Sequence, residues 1–193
     1  MPKLPKRTLS PKGEKILGGI ENQLTDIAAK YGQFKFLYLS GEDNLKTMRR
    51  VAMMYFEYAG ESMFRDILLS IARLCDPAYM GSNENLTFER LAIELPEPHK
   101  TRFLKRLGKL KKRIKHIKLW RNKHLAHNNL EHSLKDKKLP KIGYNRVTSY
   151  VEDATKLLNI VVHGYKREVY TGYNMVMVPR GASDLISHLE QSV

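Results

Sequence analysis

KTRFLKRLGKLKKRIKHIKLWRNKHLAHNN, residues 100–129, decides how this chain is read. Its apolar residues Phe103, Leu107, Leu110, Ile114 and Ile117 step by four, three, four and three, which is one face of a long helix. Leu104 lies beside that face. Between Lys100 and Lys123, 12 of 24 residues are Lys or Arg, and they fill the remaining faces. The spacing predicts one helix from Pro98 to about Asn128. Continued, the step lands on Arg121, His124 and Asn128, so the seam turns polar where packing residues were due. An arginine on a seam needs a partner, a wet cleft or a bound anion, because burying it alone is costly. At about 100° and ~1.5 Å per residue, Arg121 and His127 stand roughly 120° apart and ~9 Å along the axis. A shared cleft therefore needs arginine's full reach or a helix that ends near His127, as Asn128-Asn129 favours.

The rest of the chain supplies helices for this one to pack against. Residues 14–38 carry an apolar stripe at helical spacing: Leu17, Ile20, Leu24, Ile27, Ala28, Tyr31, Phe34 and Leu37. Gly18-Gly19 and Gly32 are expected to weaken it. A second stripe from about Leu45 to Leu74 runs through Met48, Val51, Ala52, Tyr55, Phe56, Ala59, Met63, Ile67, Leu68, Ile71 and Leu74. Met and aromatic residues at this spacing read as packing. Cys75 to Asn83 is a loop punctuated by Pro77 and Gly81. Asn85–Leu95 reads as a short helix closed by Pro96. A further helix spans about Asn145 to Lys166. Residues 168–178 are rich in β-branched and aromatic types and read as extended or hairpin. Ser183 caps a last short helix to about Glu190. The fold class is all-α: an antiparallel bundle of four main helices plus short ones, with a small extended piece near the C-terminus.

Composition bounds the partners. The 193 residues suit one domain, 13–193, preceded by a basic, proline-rich arm over 1–12. Lys and Arg number 34 against 20 Asp and Glu, a net charge of +14. Such an excess favours a polyanion, first nucleic acid and second an acidic membrane surface. The single cysteine, Cys75, excludes an intrachain disulfide and a cysteine-rich metal site, and fits a reducing cytoplasm. No apolar run approaches the roughly 18–20 residues of a membrane helix.

The chemistry of Arg121-Asn-Lys-His-Leu-Ala-His127 has several readings. His124 and His127 as metal ligands lack a nearby carboxylate before Glu131, so no metal is assigned. A nucleophile triad lacks its nucleophile. Metal-free phosphodiester cleavage needs less: an imidazole to move a proton near neutral pH, a guanidinium to hold the phosphate in bidentate fashion, and a polar group to orient them. His127, Arg121 and Asn122 are those types. The same residues also suit the solvated C-terminal end of a helix, where cations favour the dipole.

The motif resembles the signature of the HEPN superfamily: an arginine, a polar residue behind it, and a histidine four to six residues beyond. Here Asn122 is the polar residue and five residues separate Arg121 from His127. Ala72-Arg-Leu-Cys-Asp-Pro-Ala78 followed by Asn85-Leu-Thr-Phe-Glu-Arg-Leu91 resembles the HEPN branch named after abortive-infection proteins of the U type (AbiU-like). The resemblance covers roughly residues 55–130. It implies a helical bundle that usually dimerises, with two motifs facing one cleft. Active members are metal-independent endoribonucleases that leave a 2′,3′-cyclic phosphate, often as toxins paired with an antitoxin or in phage defence; silent members bind RNA or a partner. On that resemblance Arg121 holds phosphate, Asn122 positions groups, His127 is general acid/base, and His124 is a second histidine for the cleft. Lys109, Lys112, Arg113, Lys115, Lys118 and Lys123 would carry the RNA. No cofactor is implied.

Overall fold

Ser10 starts the first helix: its Oγ accepts from the Gly13 amide at 2.9 Å, and Pro11 takes the first helical position, where no amide is needed. The same hydroxyl donates to Glu94 Oε2 at 2.7 Å. The computed structural model describes residues 9–122, 142–164 and 181–191. The elements are α1 (Pro11–Leu39), α2 (Glu42–Leu74), β1 (Tyr79–Met80), β2 (Asn83–Glu84), α3 (Phe88–Glu94), α4 (His99–Arg113), α5 (Lys115–Trp120), α6 (Tyr144–Gly164) and α7 (Ala182–Gln191).

The architecture is the expected all-α bundle. α1 packs against α2, α3, α6 and α7; α4 packs against α6 and α3; α5 packs against α2. The stripe on α1 is buried at every expected position, and the helix runs unbroken through its glycines. One of these is a close approach, since a Cβ on Gly19 would meet Leu86 Cδ2 at 2.8 Å. Most buried side chains of α1 to α6 form one core, while Leu37, Met48, Phe56, Ala182 and Ile186 form a second cluster under α7.

Four expectations about element bounds need correction. The long basic helix is two helices: the backbone at Ile114 (φ −84°, ψ 11°) leaves the helical region, and the chain turns there. Ile114 is nonetheless fully buried, so the turn keeps the seam inward while α4 lies on α6 and α5 on α2. The stripe on α2 is not continuous: Ala52 (φ −159°, ψ 70°) breaks the helix and resets its phase, leaving Val51 and Tyr55 exposed and Phe56 buried. The 75–83 loop contains a two-stranded antiparallel hairpin, with Tyr79 opposite Glu84 and Gly81 at φ +61° in its turn. The short helix begins at Phe88, because Thr87 Oγ1 caps it by accepting from the Arg90 amide at 3.2 Å.

Several expectations lie outside the described residues: the arm over 1–8, the helical stretch beyond Asn122, and the extended piece over 168–178.

Candidate functional site

The site is assembled where α2 stops. Cys75 closes the helix, its amide bonding back to the Ala72 carbonyl and that of Asp76 to Arg73, both at 3.1 Å, and Pro77 cannot continue it. A helix C-terminus carries unsatisfied carbonyls and partial negative charge, and Asp76 adds a carboxylate there. The cost is offset by α5. Lys118 Nζ donates to the Cys75 carbonyl oxygen at 2.9 Å. Arg121, three residues on and so on the same face, pairs through Nη1 with Asp76 Oδ1.

Arg121 also donates from Nε to Asn122 Oδ1 at 2.9 Å. Its side chain is 22% exposed and that of Asp76 15%, so the pair is shielded but reachable. The backbone widens into a π-type turn at Arg121-Asn122, a device often found at functional positions. Among the described residues the guanidinium's bonds stop at Asp76 and Asn122. With five N–H donors, it keeps capacity for an anion.

A second carboxylate braces the same corner. Glu89 on α3 pairs with Lys111 on α4 and accepts from the Ala78 amide at 3.2 Å through Oε2. Burial pushes its pKa up, but Lys111 and the amide outweigh burial and the net shift is downward. Lys118 is pushed down, first by burial and then by Lys111. Burial drives the Cys75 thiol up to about 12, only partly opposed by Lys118 and Lys111, so it stays a protonated structural thiol.

The seam reading named three ways to satisfy Arg121, and the structure shows the first, a protein partner. Asn122 is exposed beside it. Lys109 and Arg113 lie on the flank of α4 that faces α6, Lys112 and Lys115 point to solvent, and Lys118 is turned inward as the α2 cap. Lys123, His124 and His127 lie outside the described residues. Sequence reasoning missed Asp76 as a site residue, along with Glu89 and Lys111. Asp-Pro at the end of an apolar stripe was the available signal: an acid against the helix dipole calls for a cation.

A helical bundle with Arg121 and its polar neighbour Asn122 following a basic helix, braced by a Cys-Asp-Pro turn, agrees with the HEPN resemblance of the motif. The chain belongs to the AbiU2 family: the family model described as HEPN_AbiU2, AbiU2, matches residues 12–178. No curated protein and no solved structure matches the chain. Among the described residues no helix is long and apolar enough to cross a membrane.

Proposed function

We propose that this protein is a cytoplasmic, metal-independent endoribonuclease acting in phage defence or as the toxin of a toxin–antitoxin pair. The observation that carries the reading is the Asp76–Arg121–Asn122 chain of contacts, which holds a guanidinium part-buried six residues before His127. In the proposed reaction His127 takes the proton of a ribose 2′-hydroxyl. The 2′-oxygen attacks the adjacent phosphorus, the bond to the 5′-oxygen breaks, and that oxygen receives a proton. The products are a 2′,3′-cyclic phosphate and a 5′-hydroxyl. Arg121 neutralises the charge that gathers on the phosphate oxygens, and Asn122 fixes its plane. His124, or the motif of a second copy across a dimer cleft, supplies the second proton transfer.

The test is RNA cleavage in EDTA by purified protein. His127→Ala is expected to lose about 10²–10⁴-fold, the usual worth of acid–base catalysis. Cleavage that persists in that variant contradicts the reading.

One observation favours a second reading. Arg121 is already satisfied by Asp76, as in a structural ion pair. A silent HEPN module that binds RNA or a partner protein would use it only for stability. That reading predicts RNA binding with no product, unchanged by His127→Ala.

A further inference from the structure

α4 carries two basic flanks, and the structure treats them differently. Lys111 stands on the flank towards α3, where Glu89 neutralises it. Arg102, Arg106, Lys109 and Arg113 step by four, three and four along the opposite flank, and Lys105 adjoins them. Lys109 and Lys111 are about 160° apart around the axis. The second flank forms one wall of a groove of about 360 Å³ whose other wall is α6, with Leu110 and Ile160 at its floor. Among the described residues Asp153 is the one carboxylate lining it, and Arg113 engages it while donating to Ser149 Oγ at 2.9 Å. Among the described residues Arg102, Lys105, Arg106 and Lys109 have no carboxylate partner, and all four are exposed.

We propose that this groove binds the phosphate backbone of single-stranded RNA and feeds it towards Arg121, an inference that takes its choice of ligand from the ribonuclease reading. Four unneutralised cations along one groove are the footprint of a polyanion. The row from Arg102 to Arg113 covers about 16 Å of helix, enough for a run of phosphates and not for one anion. Among the described residues no aromatic side chain lines the groove, and the neighbouring Tyr150 ring is covered by the Arg113 guanidinium, 5.6 Å from its centroid. Binding is therefore to the backbone, without preference for base. Arg113 ends the row one residue before the turn at Ile114, from which α5 presents Arg121. The groove and the candidate site are thus within roughly 12 Å along the chain's helical path.

The test separates binding from cleavage. A labelled single-stranded RNA, 2′-O-methylated throughout, cannot be cut through its 2′-oxygens, and fluorescence anisotropy of the full chain reads its affinity. Replacing Arg102, Lys105, Arg106 and Lys109 together with Ala is expected to weaken binding on the order of a hundredfold. It should also make the log–log salt slope about three units shallower, at roughly 0.7 per phosphate contact. A control lacking the same charge elsewhere, Lys15, Lys35, Arg49 and Arg50 to Ala, should lose less than about threefold, because screened distant charges contribute little. Equal losses in the two variants, or binding intact in the groove variant, overturn the proposal. A duplex that competes as well as the single strand also overturns it. Melting by circular dichroism checks the fold; if the groove variant melts early, Arg106→Gln with Lys109→Gln carries the test. If native RNA is never cut but the groove variant alone loses binding, the groove stands and the ribonuclease reading falls. If native RNA is cut and the groove variant binds normally, only the groove proposal falls.

Discussion

Asp76, two residues past the end of α2, holds Arg121, one residue past the end of α5, in an ion pair that joins the Cys-Asp-Pro turn to the candidate motif. The two stretches lie 45 residues apart in sequence. Their meeting turns a residue that breaks the apolar seam into the anchor of a site.

Asp76→Asn tests whether this pair positions Arg121 for chemistry as well as for packing. Loss of a charge-assisted bond between part-buried partners should cost about 1–2 kcal/mol and lower the melting temperature by a few degrees. If Asp76 only packs, cleavage by the folded variant stays unchanged. If it positions Arg121, kcat falls more than KM rises, and Asp76→Glu recovers part of the loss.

Acid should destabilise the fold through Glu94 and Glu89. Glu94 is held below its ordinary value of 4.5 first by the Ser10 hydroxyl and then by Arg90, while at Glu89 burial pulls upward and Lys111 outweighs it. A carboxyl whose folded pKa is depressed contributes stability that is fully present above 4.5 and is lost as pH falls through the folded value. Urea midpoints should therefore drop below pH 4.5. In Glu94→Gln that drop should be shallower; an identical acid limb in variant and wild type would contradict the assignment.

Gly60→Ala and Gly19→Ala should differ. A Cβ at Gly60 would meet Tyr38 Cζ at 2.7 Å, and that ring is fixed by its hydroxyl donating to the Phe56 carbonyl at 2.8 Å. A Cβ at Gly19 would meet the end of Leu86, a flexible and partly exposed side chain. Thermal melts are expected to show a loss of about 1–3 kcal/mol at Gly60 and less at Gly19.

The phase change at Ala52 has its own test. Phe56→Ser should cost about 3–5 kcal/mol by emptying part of the second cluster, while Tyr55→Ser, its exposed neighbour, should stay within about 0.5 kcal/mol. Equal effects would restore the continuous stripe that the spacing suggests.

The helices were legible because apolar spacing is a local signal. The stripe on α1 and the seam from Phe103 to Ile117 both survive in the structure residue for residue. The interruptions were not legible, because no proline or glycine marks Ala52 or Ile114; tertiary packing imposes both breaks. Thr87 did carry a cap signal that the Asn85 start overrode. At the site, Arg121 was visible as a cation on an apolar seam, but its partner was a matter of which helix end α5 meets. The inward turn of Lys118 depended on the same long-range contact.

The most direct measurement is the chemistry of RNA ends produced in EDTA by the wild-type chain and by Arg121→Ala. Fragments ending in 2′,3′-cyclic phosphate and 5′-hydroxyl are expected from the wild type, and a rate lower by about 10²–10³-fold in the variant. Undiminished cleavage by Arg121→Ala, or a wild-type chain that leaves RNA intact, would contradict it.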